Sequence, residues 1–174
     1  MILGLDISTS ITGYTVMDGK GAIVENGAWD MRNKRYFDDL MDKAKFIKEQ
    51  LKELSVTYSI KEIYIEKSLQ SFRSGFSSAK TLSTLSSFNG IVSWMCYEEY
   101  GMKAEYIAAT TARKLCGIRI PKGQKAKQFV LQYLLDNEPS FVISYTRAGN
   151  PKPDSYDRAD SIVIAKAGLC KKKN

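Results

Sequence analysis

The chain has 174 residues, of which 44% are hydrophobic, and its 26 Lys and Arg against 19 Asp and Glu leave a formal charge of +7. That length and balance suit one ordinary folded domain, and no apolar run approaches the roughly 18 residues that would span a membrane. Histidine is absent, which excludes Ser-His-Asp and Cys-His triads and His-ligated zinc.

Residues 1–7 read as a short buried strand, Met1-Ile2-Leu3-Gly4-Leu5-Asp6-Ile7, with no basic stretch of the kind that opens a secretory signal. A polar turn at Ser8-Thr9-Ser10 leads to a second strand, 11–17. The hairpin turn Asp18-Gly19-Lys20-Gly21 returns the chain as a third strand, 22–29. A helix is expected over 36–58, where Phe37, Leu40, Ala44, Ile47, Leu51, Leu54 and Tyr58 step by three and four along one stripe. Ile63-Tyr64-Ile65 forms a fourth strand closing on Glu66, and the Ser-rich segment 68–78 reads as an exposed loop. A long helix over 78–100, weakened locally by Gly90, precedes a fifth strand at 103–108. Short helices at 111–116 and 124–135, a loop at 139–153 and a last helix at 154–170 complete the chain, with 171–174 as a frayed basic tail. The expected fold is α/β: a mixed five-stranded sheet, three strands antiparallel and the later ones parallel, with helices on both faces, in one domain over 1–170. Cys96, Cys116 and Cys170 are far apart and lack a Cys-x-x-Cys pair, which speaks against a disulfide framework and for a reducing cytoplasm.

The charge is unevenly spread. Residues 67–97 hold Lys67, Arg73 and Lys80 without an acid, and 106–135 hold Arg113, Lys114, Arg119, Lys122, Lys125 and Lys127 without an acid. Such segments suit a polyanionic partner. Four carboxylates stand out against them. Asp6 lies inside an apolar strand, on the face opposite Leu3 and Leu5; Glu66 closes a second apolar strand. An acid so placed is costly unless it is paired or binds a cation. Asp157 and Asp160, three apart at the head of the last helix, share one face. Macrodipole stabilisation of about 0.3–1 kcal/mol would account for Asp157 but fades before Asp160. The set as a whole offers hard oxygen ligands suited to Mg²⁺ or Mn²⁺. Two such ions about 3.5–4 Å apart can activate water and stabilise the leaving oxygen of a phosphodiester.

On these residues the chain resembles the RuvC family of Holliday junction resolvases, in the ribonuclease H-like superfamily. The resemblance rests on Ile2-Leu3-Gly4-Leu5-Asp6-Ile7-Ser8, Thr12-Gly13-Tyr14, Ile63-Tyr64-Ile65-Glu66-Lys67, and Asp157-Arg158-Ala159-Asp160-Ser161-Ile162-Val163-Ile164-Ala165, and it covers essentially the whole chain. It implies a Mg²⁺-dependent, homodimeric endonuclease that cuts two opposed strands of a four-way junction, with Asp6, Glu66, Asp157 and Asp160 as metal ligands. Family members place an aromatic wedge after the second acid; here that position is Leu69, with Phe72 and Phe76 following, so Leu69, Phe72 and Arg73 join Lys80, Arg113 and Lys114 as expected DNA contacts. The family also places a lysine before the last acids, which fits Lys122, Lys125 or Lys127. Lysines at a helix start oppose the macrodipole but can hold a phosphate there. Lys125, taken as one turn inside the helix, is the first choice for assisting the chemistry. Trp94, Met95 and Tyr97 are assigned to the core or a dimer contact, and Gly90 with Ser83, Ser86 and Ser87 makes a small-residue face suited to close helix approach. Two rival readings are another ribonuclease H-like nuclease, acting on RNA–DNA hybrids or as a transposase, and an actin-like ATPase or sugar-kinase relative, whose first phosphate loop Leu3-Gly4-Leu5-Asp6-Ile7-Ser8-Thr9-Ser10 followed by Thr12-Gly13 resembles. A third is a DNA-binding scaffold without activity.

Overall fold

A computed structural model describes residues 1–67 and 79–172. Strands β1 (Ile2–Asp6), β2 (Ile11–Met17) and β3 (Ile23–Asp30) form an antiparallel meander. Helix α1 (Leu40–Thr57) then leads to β4 (Glu62–Glu66), α2 (Ala79–Tyr100) to β5 (Glu105–Ile107), and α3 (Ala109–Leu115), α4 (Ala126–Asn137) and α5 (Asp154–Lys172) follow. The sheet order is β3-β2-β1-β4-β5, with β1–β4 and β4–β5 parallel, so β1 is the hinge between the antiparallel and parallel halves.

The alternation of β1 decides which residues meet which helices. Leu3, Leu5 and Ile7 face a core completed by Ala44, Ile47, Leu51 and Leu54 of α1 and by Phe88, Val92 and Cys96 of α2. Ile2 faces the opposite core, with Ala112 of α3, Val130, Leu131 and Leu134 of α4, and Ile162, Val163, Ile164 and Ala165 of α5. Asp6 shares that second face. Helices therefore cover both sides of the sheet, as expected.

The second face is close-packed because glycine lines it. A Cβ on Gly13 would stand 2.0 Å from the Asp157 carbonyl oxygen, and one on Gly4 would stand 2.6 Å from that of Ser161. Helix α5 thus lies almost directly on the backbone of β1 and β2, which larger residues would forbid.

Several boundaries differ from the sequence expectation. Helix α1 starts at Leu40, not 36, because the Asp39 carboxylate caps it by accepting from the N–H groups of Met41 and Asp42 at 2.7 and 3.0 Å. Helix α2 runs unbroken through Gly90. Helix α5 continues to Lys172, since Lys171 pairs with Glu105 and Lys172 with Glu62, so these two lysines are helical rather than frayed. Among the described residues no helix is long and apolar enough to cross a membrane.

Candidate metal centre and its cationic flank

Asp6 ends β1 and Glu66 ends β4. The two strands are parallel neighbours in the register Leu5↔Ile65, so both carboxylates leave the sheet at the same edge, side by side. Helix α5 crosses that edge and adds Asp160. Carboxylate oxygens of Asp6, Glu66 and Asp160 all lie within 4.8 Å of one another. Asp157, one turn earlier on α5, stands beside this trio without belonging to it.

Confinement of these acids leaves a clear electrostatic signature. Burial, then Glu66 and Asp160, push the Asp6 carboxyl well above the usual carboxylate range, with Lys127 pulling the other way. Burial and Asp160 raise Glu66 to about 7 against Lys127 and Arg113. Asp160 is raised by burial and Asp157, and Asp157 chiefly by burial. Carboxylates that resist ionisation together are carboxylates that favour a cation. The donors are all oxygens, with no sulfur or imidazole among them, a set compatible with a hard divalent cation such as Mg²⁺ or Mn²⁺.

Two basic side chains flank the acids. Arg113 of α3 is half-buried, is fixed by its Nε donating to the Ala109 carbonyl at 3.0 Å, and lines a small cleft with Glu66 and Asp160. Lys127 of α4 donates to Asp157 Oδ1 at 3.0 Å, and its Nζ stands 3.6 Å from Asp160 Oδ2. Its side chain is largely exposed, yet its ammonium reaches two of the acids. Burial alone would lower its ammonium, but Asp157, Asp6 and Asp160 hold it above the usual lysine range.

The lysine that reaches the acids is therefore Lys127 and not Lys125, because α4 begins only at Ala126. Lys125 is the N-cap of α4 with extended backbone, not a residue one turn inside. Its side chain lines a different surface groove, with Gln124, Gln128 and Phe129. Lys122 lies exposed in the turn before α4, and Lys114 and Lys80 are exposed on α3 and at the start of α2. Leu69, Phe72 and Arg73, with Phe76, lie outside the described residues. Trp94 and Tyr97 are not core: they are 60% and 43% exposed and form a tilted ring pair on α2, centroids 5.6 Å apart.

A polar clamp holds the head of α5 in place, and nothing in the local sequence marked it. Asn26 of β3 donates through Nδ2 to the Tyr14 carbonyl at 3.0 Å, to Thr15 Oγ1 at 2.9 Å and to the Arg158 carbonyl at 3.2 Å. Arg158 Nε donates back to Asn26 Oδ1 at 3.0 Å, its Nη2 donates to the Val142 carbonyl at 3.0 Å, and its guanidinium lies over the Phe141 ring. Thr15 and Ser161, both fully buried, share a 2.8 Å hydrogen bond. Arg158 follows Asp157 directly, yet it turns away from the acids to anchor the helix that carries them.

No protein family model matches the chain, and no curated protein matches it in sequence. Solved structures do match its fold. Thermus thermophilus RuvC in complex with a Holliday junction substrate superposes with a TM-score of 0.68 at 12% identity, covering 99% of this chain and 94% of that one. A second Thermus thermophilus RuvC structure gives 0.63 at 15% identity over 99% and 95%. The yeast mitochondrial Holliday junction resolvase Ydc2 gives 0.63 at 14% identity over 99% and 78%. Over essentially its whole length, this chain has the RuvC-type, ribonuclease H-like fold.

Proposed function

We propose that the chain is a structure-selective endonuclease that cuts four-way DNA junctions, using divalent cations held by Asp6, Glu66, Asp157 and Asp160. The observation that carries this reading is the meeting of Asp6, Glu66 and Asp160 oxygens within 4.8 Å at one sheet edge, beside the basic side chains of Arg113 and Lys127. Asp6, Glu66 and Asp160 would hold one ion, and Asp157 with Asp160 would help to hold a second. Bound there, Mg²⁺ or Mn²⁺ supplies a water activated for attack and stabilisation of the leaving oxygen. Arg113 and Lys127 draw the scissile phosphate towards the acids and offset its charge. Lys114, Lys122, Lys125 and Lys80 contact the backbone of the DNA arms. On sequence alone, Leu69, Phe72 and Arg73 are assigned to the branch point, where an aromatic ring can stack on an exposed base. Residues 1–170 act as one nuclease domain, in the cytoplasm. A homodimer is supported by the exposed Trp94–Tyr97 pair on α2, since paired aromatics left in water are typical of a surface that meets a partner.

One assay tests the reading: incubation with Mg²⁺ and labelled four-way junction, flap, linear duplex and RNA–DNA hybrid, resolved on a denaturing gel. Symmetric cleavage of the junction above the others is expected, and Asp160→Asn should reduce it by several orders of magnitude while junction binding persists. Preferential cleavage of the hybrid would replace the junction with an RNA–DNA substrate.

A further inference from the structure

The four acids do not form one equivalent set. Asp6, Glu66 and Asp160 converge, while the Asp157 carboxylate accepts from the Lys127 ammonium, which also stands close to Asp160. An ammonium between Asp157 and Asp160 stands where a cation bridging those two carboxylates would stand, and the two cannot be there together. Lys127 comes from a different helix, and its side chain is 60% exposed against 16% for Asp157 and 18% for Asp160. It therefore covers the acids from the solvent side and can leave without disturbing the core.

We propose that Lys127 holds the second cation position closed in the free protein and so imposes an order on metal loading. This rests on the metal-nuclease reading above and adds a sequence of events to it. The first ion enters among Asp6, Glu66 and Asp160. The second enters beside Asp157 only when Lys127 has another anionic partner, and the partner the site offers is a phosphate of the bound DNA. The free protein then carries one ion, and the pair assembles on substrate.

The ordering can be read without any turnover by calorimetric titration of the DNA-free protein with Mn²⁺, comparing wild type with Lys127→Ala and with Lys127→Met, which keeps the apolar stem. Circular dichroism confirms that each variant is folded. Wild type should bind one equivalent, with a second only at much higher concentration. Both variants should bind the second equivalent at least about tenfold more tightly, because a unit charge a few ångströms away is removed. Repeating the titration on a four-way junction with phosphorothioate linkages at its centre should narrow the gap between wild type and Lys127→Met. Variant titrations that superpose on wild type would overturn the proposal, and an unchanged gap on DNA would overturn the role of the phosphate. Cleavage of junctions by wild type with Mg²⁺ keeps the two readings apart. A chain that cuts but titrates identically with and without Lys127 loses only the ordering. A chain that neither cuts nor binds Mn²⁺ loses both.

Discussion

Asp6, Glu66 and Asp160 are carboxylates that the fold forces together, and without metal each is more readily protonated than in the unfolded chain. Glu66 shows what this does to stability, because burial and Asp160 move it from 4.5 to about 7. Between those values the folded protein keeps a proton that the unfolded chain has released. Its contribution is therefore fully present below about pH 4.5 and is lost as pH rises towards 7, the reverse of an acid held in a salt bridge. Thermal melts in EDTA at pH 5 and pH 8 should show Glu66→Gln gaining stability relative to wild type at pH 8 and gaining less at pH 5. Saturating Mg²⁺ should remove that advantage, since the cation takes over from the proton. Equal differences at both pH values would mean that Glu66 is not strained. Asp6 could be picked from the sequence, because a strand as apolar as Ile2 to Ile7 has no ordinary use for a buried acid. Lys127 could not be told from Lys122 and Lys125, because the choice depends on where α4 begins, and Lys125, with no side-chain cap bond, gives no local signal of that start.

At the level of elements, α5 does most to place the site. Its stripe of small residues lets it lie against Gly4 and Gly13, and the Asn26–Arg158 clamp fixes its rotation. Gly13→Ala should push the first turns of α5 off the sheet, since a Cβ there would overlap the Asp157 carbonyl. Overpacking of this kind costs about 1–3 kcal/mol, at roughly 2–4 °C of melting temperature per kcal/mol for a chain of this size. Junction cleavage should fall further than that loss implies, because the shift moves Asp157 and Asp160 directly. A Gly13→Ala protein with unchanged melting temperature and turnover would show that α5 is not seated as described. The strands were legible in the sequence as short apolar runs and α1 through its hydrophobic period, both of which are local properties. The clamp was not legible. Asn26 and Arg158 lie far apart in the chain, and a polar residue in an edge strand looks like any solvent-facing position until α5 is laid over it.

Across the whole molecule, basic residues outnumber acidic ones 26 to 19, and some of them come together at the site. Arg113, Lys114, Lys122, Lys125 and Lys127 come from α3, α4 and the turn between them, and Arg113 and Lys127 reach the acids at the sheet edge. Lys114→Ala, Lys122→Ala and Lys125→Ala should each reduce the salt slope of log junction binding by about 0.9 where a duplex phosphate contact is lost. Affinities measured over several salt concentrations give that slope directly, and unchanged slopes for all three would return these lysines to a merely solubilising role. The acid-free run 106–135 that suggested a polyanion was visible in the sequence, but the placing of its Arg113 and Lys127 beside the acids was not, because only the packing of α3 and α4 against α5 brings them there. That packing reaches further. Helix α5 touches all five strands as well as α3 and α4, so the element that carries Asp157 and Asp160 is also the one the sheet cannot lose. Backbone amides of residues 159–167 should then be among the slowest in the protein to exchange with deuterium, opening only through global unfolding. Nuclease action and helix content should vanish at the same urea concentration. A protein built this way would have no intact but inactive form to linger in, and cleavage lost at a lower concentration than helix content would show that α5 opens on its own.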